Sequence, residues 1–344
     1  MDQNEYRYEQ QYRKVIGAIG ISMLFFLLFL TAFQMILIII NTVLSFLPEI
    51  NPWIEAAYQL IYAAGYLASF MTPVLILRKR IRRNKIEYLS MRTTLRFSKL
   101  AFLAIPLGIS VIFSAAYLNA RFVEFFFIPN IMEMLAPTTS TYSAYEIVIQ
   151  FIVVCLVPGF CEEFLFRGAI LTNCLPFGRS TAILISSLLF ALMHQNVQQF
   201  FFAFVAGIFL GVLYEKTGSI WPGVLLHTLN NFTSTAQVVI QEKYVNDPAV
   251  GTLTVTLIES AILLLGVISL AILLPRCFGK RASLREGVFG QDHAATDWYA
   301  SVPLSAEKQR KLFLRPPMII FLIICVVEAL MATGLVMLYG ILLP

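Results

Sequence analysis

Residues 147–171 read Ile147-Val-Ile-Gln-Phe-Ile-Val-Val-Cys-Leu-Val-Pro-Gly-Phe-Cys-Glu162-Glu163-Phe-Leu-Phe-Arg167-Gly-Ala-Ile-Leu171, and this stretch decides the fold. It exceeds the ~20 apolar residues that a membrane crossing takes, yet it holds two adjacent carboxylates and a guanidinium. Hydrocarbon cannot hydrogen-bond an open backbone, so such a segment is a helix. The rest of the chain has the same character. Of its 344 residues, 58% are hydrophobic and only 13% charged, and its mean hydropathy is +0.77. A soluble domain carries about 25% charged residues. Apolar segments are read near 15–46, 53–77, 97–119, 145–173, 180–198, 199–215, 217–240, 252–275 and 317–343. The 180–215 region divides in more than one way, so the count is eight or nine spans. The predicted class is all-α, a polytopic transmembrane helical bundle with an intramembrane polar cavity.

Positive charge sets the expected orientation. Arg78, Lys79, Arg80, Arg82, Arg83 and Lys85 follow the second segment, and a further basic set from Arg276 to Arg315 lies between the last two. The opposite connections are poor: 47–52 has no Lys or Arg, 120–144 only Arg121, and 241–251 only Lys243. Lys and Arg stay on the cytoplasmic side. The N-terminus is therefore expected in the cytoplasm, in a multi-pass protein of the cell membrane. The net charge of +5 is accounted for by topology and by anionic lipid, without nucleic acid as a partner. The polar first 14 residues and the long apolar run after them do not form a signal peptide. Five cysteines without paired spacing argue against a disulfide framework or a cysteine zinc site. Cys161 reads as a small buried hydrophobe. Ala203-x-x-x-Gly207-x-x-x-Gly211 is expected to let two helices approach closely. The sequon Asn231-Phe232-Thr233 lies at membrane depth, where it should stay unmodified. The basic loop 276–316 is expected to lie on the surface or to meet a partner.

Three polar clusters interrupt the apolar runs: Glu162-Glu163-x-x-x-Arg167, Phe190-x-x-x-His194 and His227-x-x-x-Asn231. The chain has three histidines, and two of them are here. On a helix Glu163 and Arg167 share a face, as do His227 and Asn231, while Glu162 is turned ~100° from Glu163. Counted inward at ~1.5 Å per residue, Glu162, His194 and His227 lie ~16, ~21 and ~15 Å deep. They can therefore meet in one cavity. A carboxylate and an imidazole beside one water make a nucleophile. A second histidine and an amide can stabilise the oxyanion formed when that water attacks a carbonyl. Taken singly, each cluster also fits a buried brace or an interhelical hydrogen bond; the ordered trio points to a shared site. Glu259 is expected to make a structural contact. No serine nucleophile elbow, His-Glu-x-x-His motif, P-loop or dinucleotide fingerprint occurs in a suitable context.

These three motifs, Glu162-Glu163-Phe-Leu-Phe-Arg167, Phe190-Ala-Leu-Met-His194 and His227-Thr-Leu-Asn-Asn231, resemble those of the CAAX-protease and bacteriocin-processing (CPBP, or Abi) family of intramembrane proteases. The resemblance covers roughly 145–240. It implies N-terminal transmembrane helices over 1–144, a catalytic CPBP/Abi-type core over 145–240, and C-terminal helices over 241–344. It also implies a hydrolase that cuts a membrane-associated protein or peptide in the bilayer. Eukaryotic relatives trim prenylated C-termini; bacterial ones are linked to peptide maturation, self-immunity and signalling. By resemblance Glu162 is the water-activating base, helped by His194; Glu163 and Arg167 support it; His227 and Asn231 hold the oxyanion. Members are often called metalloproteases, although a metal-free glutamate mechanism is also proposed. Glu162, His194 and His227 are candidate ligands for a divalent metal such as zinc, while Asn231 on the His227 face favours the metal-free reading.

Two other functions compete with the protease. One is a non-catalytic scaffold or bacteriocin-immunity protein that retains the constellation. The other is a transporter with a Glu/His proton relay, against which no matched pair of broken helices is found. Pro158-Gly159 and Trp221-Pro222-Gly223 are expected to kink their segments and open access to the cavity.

Overall fold

Each of the nine apolar segments contains a helix, although that of 180–198 ends at Leu192. The computed structural model describes residues 3–46, 52–86, 88–95, 97–126, 144–278 and 306–342. The helices are α1 (Gln3–Leu44), α2 (Pro52–Arg83), α3 (Lys99–Phe126), α4 (144–174), α5 (Arg179–Leu192), α6 (Val197–Thr217), α7 (Trp221–Lys243), α8 (Pro248–Phe278), the short α9 (Ala306–Phe313) and α10 (Pro316–Leu342). No strand occurs among the described residues. Of the 276–316 loop, 279–305 lies outside the described residues. Its distal part is α9, which packs on α1.

Six helices or helical runs are long and apolar enough to cross a membrane: those containing Glu5–Leu44, Ala57–Arg83, Ala101–Phe125, Ile147–Phe177, Val197–Thr217 and Pro248–Pro275. The apolar stretches Arg179–Leu192 and Pro316–Ala332 are shorter. The α7 helix is long enough but carries His227, Asn230, Asn231, Gln237 and Gln241. In the most apolar windows of the six runs, 17–39% of residues are buried. Leu28, Ile39, Leu264 and Val267 point outward. So much exposed apolar surface would aggregate in water and is what a lipid-facing exterior requires. The chain is a multi-pass membrane protein.

At the centre is α4, packed against α2, α5, α6 and α7. It is one continuous helix that widens to π-helical geometry over Phe151–Leu156 and Phe164–Leu171. Such widened turns collect at functional sites, and here they bracket the glutamate pair. The main apolar core joins α1, α2, α4, α5, α6 and α10, with Phe26, Phe70, Phe166 and Phe321 among its fully buried members. A smaller cluster of Ala104, Ile105, Leu210, Leu213 and Leu226 ties α3 to α6 and α7.

The small-residue stripe seats α6 on α5. A Cβ at Gly207 would lie 2.8 Å from Ser187 Cα, and one at Gly211 would lie 3.2 Å from Ile183 and Leu171. Backbone cannot yield as a side-chain tip can, so Gly207→Ala should cost about 1–3 kcal/mol by forcing the helices apart. A fall in the thermal unfolding midpoint of the purified protein checks this; an unchanged midpoint would show that the two helices have slack. Glu259 meets Gln237 at 3.1 Å, a contact between α8 and α7.

Candidate active site

The two adjacent glutamates face different surroundings. Glu163 points to the protein side of α4, where its Oε1 accepts from Arg167 Nη1 at 2.8 Å and lies 3.1 Å from His227 Nδ1. Arg167 is fully buried. Its Nη2 donates to the Gly207 carbonyl at 3.1 Å, and its guanidinium lies 4.5 Å from the Phe190 ring centre. A buried charge needs this density of partners. Gly223 permits the close approach of α7, because a Cβ there would come within 2.9 Å of Glu163 Oε2. Gly159 does the same for α4, since its Cβ would lie 2.4 Å from Thr228 Oγ1. The glycines read as kink positions in the sequence thus act as close-approach points between α4 and α7.

Glu162 faces a cavity of about 620 Å³. Its Oε1 accepts a hydrogen bond from Tyr66 of α2. Its Oε2 is buried and has no hydrogen-bond partner among the described residues, with His227 Nε2 3.7 Å away. His194, His227 and Asn231 also line the cavity, whereas Glu163 and Arg167 do not. Its wall on the α1 and α2 side is mostly apolar and aromatic, with Leu30, Phe33, Tyr62 and Phe70. The facing wall offers Asn196, Gln199, Asn230 and Ser234.

His194 does not lie within a spanning helix. The 180–198 segment breaks into α5, which ends at Leu192, and a turn over 193–196. At 14 residues, α5 is about 21 Å long, short of the ~30 Å hydrocarbon core. The freed carbonyls at its end need donors, and His194 Nδ1 supplies one to Phe190 O at 2.9 Å. Because a carbonyl only accepts, the proton is on Nδ1 and the neutral ring offers Nε2 as an acceptor. Gln195 adopts a left-handed φ of 56° and bonds to Glu328 of α10. Asn196 donates to His194 O at 2.7 Å and caps α6 through Gln199 N at 2.8 Å. Phe190 joins the parts, edge-on to His194 at 5.2 Å and to His227 at 5.8 Å. Asn231 donates to Val154 O at 3.3 Å, opposite the first widened turn of α4.

All six sequence-selected residues therefore gather around one cavity, in two layers. The candidate zinc ligands Glu162, His194 and His227 share its lining. They do not converge as a metal site, and no group of three His, Cys, Asp or Glu side chains does so among the described residues. Nδ1 of each histidine is engaged by Phe190 O or Glu163, which leaves each Nε2 as the ring nitrogen that a water or a metal would meet. Sequence reading missed Tyr66. Its signal is the aromatic stripe Tyr58, Tyr62, Tyr66 and Phe70, spaced one helical turn apart. The rings of Tyr62 and Tyr66 stack at 6.1 Å, and those of Tyr66 and Phe70 at 4.7 Å.

Residues 144–233 match a family model described as Rce1-like, type II CAAX prenyl endopeptidase. The matched segment begins with α4, ends within α7 and contains all three motifs. This agrees with the resemblance drawn from them. No curated protein and no solved structure matches the chain.

Proposed function

We propose, taking residues 144–233 as an Rce1-like CAAX endopeptidase segment, that this chain hydrolyses a peptide bond of a membrane-associated protein or peptide. The observation that carries the reading is the unequal treatment of the two carboxylates. Glu163 is held through Oε1 by Arg167 and His227 and stays behind the cavity, whereas Glu162 lines it. The Oε2 atoms of both lack a hydrogen-bond partner among the described residues, but only that of Glu162 belongs to a residue of the cavity wall. An unpartnered buried carboxylate oxygen is costly; a water taking its place as donor would relieve that cost and stand where a substrate carbonyl can arrive.

Glu162 Oε2 takes one proton from that water, with His194 Nε2 as the second acceptor orienting it. The hydroxide bonds to the carbonyl carbon, and the electron pair moves to oxygen. Asn231 donates to that oxyanion, and His227 donates from Nε2 as an imidazolium, its Nδ1–H being held by Glu163. When it collapses, the C–N bond breaks and the proton held by Glu162 passes to the leaving amine. A carboxylic acid and an amine result, the acid passes its proton to the amine to give a carboxylate and an ammonium, and Glu162 is regenerated. Tyr66 donates to Glu162 Oε1 and so aims Oε2 at the water. Tyr66→Phe should lower kcat about tenfold with KM unchanged, since one hydrogen bond to a charged group is lost. An unchanged kcat in a folded variant removes Tyr66 from the positioning role.

The apolar α1–α2 wall and the polar wall opposite fit a client that presents an apolar surface and an extended backbone together. Mass spectrometry of new protein termini, in cells carrying either the wild-type chain or Glu162→Gln at equal expression, tests the reading. Termini present only with the wild type identify the client. Identical termini across growth conditions in which the chain is expressed would overturn the proposal.

A further inference from the structure

A second cleft, of about 270 Å³, lies at the end of the bundle where α1, the C-terminus of α2 and the start of α10 meet. Arg13, Lys14, Arg80 and Arg315 converge on it, with Asn84 beside them and Gly17 among its lining residues. Arg13 has a carboxylate partner, Glu9, at 3.1 Å. Among the described residues no carboxylate pairs with Lys14, Arg80 or Arg315. Four cations against one carboxylate leave an excess of three positive charges around one concavity. Like charges repel, so three helices that bring them together favour an anion between them.

Gly17 gives this cleft a shape as well as a charge. A Cβ built on it would meet nothing within 4 Å, so no neighbouring helix demands a glycine there. A glycine inside a helix is unfavourable, and its effect here is to leave the space beside the cations open. Farther along the same face of α1, Ala18 and Ile21 continue the lining towards the apolar run. The cleft thus has a cationic mouth and an apolar floor at the boundary of a membrane helix.

We propose that this cleft binds a phosphate group, presented by the headgroup of an anionic phospholipid whose acyl chain follows Ala18 and Ile21. Tetrahedral phosphate accepts several charge-assisted hydrogen bonds from arginine and lysine at once. Basic pockets between membrane helices take anionic headgroups in this way.

The test is the unfolding midpoint of the purified full-length chain in neutral detergent, titrated with phosphatidylglycerol, phosphatidylcholine or inorganic phosphate. Phosphatidylglycerol should raise the midpoint saturably and phosphatidylcholine should not. Lys14→Ala/Arg80→Ala should weaken the apparent affinity about thirtyfold, at about a factor of five per basic side chain. Gly17→Leu, which fills the cleft and leaves its charges in place, should weaken it as well. Arg82→Ala/Arg83→Ala removes two exposed cations from the same helix end, outside the cleft lining, and should leave the affinity unchanged. If inorganic phosphate alone reproduces the full shift, the site holds and its ligand is a soluble phosphate. Equal weakening by the two charge-removing pairs, full affinity in folded Gly17→Leu, or no shift with any anion would overturn the proposal. Should Gly17→Leu fail to fold, the comparison of the two charge-removing pairs decides.

Discussion

Glu162→Gln is expected to lower the rate of peptide-bond hydrolysis by about 10³-fold, within the range by which a positioned general base accelerates proton transfer. The substitution is nearly isosteric. Its amide oxygen still accepts from Tyr66, so the side chain stays in place and only the capacity to take a proton is lost. Folding should survive, because the change removes a buried negative charge, and the amide NH2 that takes the place of Oε2 lies at the cavity wall, where water can accept from it. Glu163→Gln separates the two glutamates. It weakens the hold on Arg167 and His227, so its loss of activity should come with a lower unfolding midpoint. Rates of both variants on a client peptide, set beside their midpoints, check the distinction. A folded Glu162→Gln protein with more than a tenth of the wild-type rate would mean that another group activates the water.

The residues that were legible in the sequence are those whose presence in hydrocarbon needs an explanation. A carboxylate pair, a guanidinium and two histidines inside apolar runs are costly enough to stand out, and helical spacing alone pairs Glu163 with Arg167 and His227 with Asn231. Tyr66 did not stand out, because an aromatic residue suits a membrane helix with or without a catalytic neighbour, and its partner lies 96 positions away. The end of α5 was hidden for a related reason. Residues 180–198 are apolar enough to read as a span, and the break at Met193 depends on His194 and Asn196 satisfying the exposed backbone. Hydropathy does not register that kind of satisfaction. The close approach at Gly159 and Gly223 was read as bending, since a glycine beside a proline signals either, and only the neighbouring helix decides between them.

Arg167→Met should be the most destabilising single change at the site. It leaves Glu163 charged and almost fully buried, with His227 as its remaining polar partner, and it strips the Gly207 carbonyl of a donor. Removing one member of a buried ion pair costs about 3–5 kcal/mol, because an uncompensated charge remains. The paired change Glu163→Gln/Arg167→Met removes both charges, and the glutamine's oxygen can still accept from His227 Nδ1. It should therefore recover most of the lost stability, and the double variant should be clearly more stable than the sum of the single effects predicts. Activity need not return with it, since Arg167 also fixes Phe190, which lies edge-on to both histidines. A double variant that regains its unfolding midpoint and stays slow would show that the pair acts by holding the histidines in register. One that regains neither would mean that the ion pair itself holds α4 against α6 and α7.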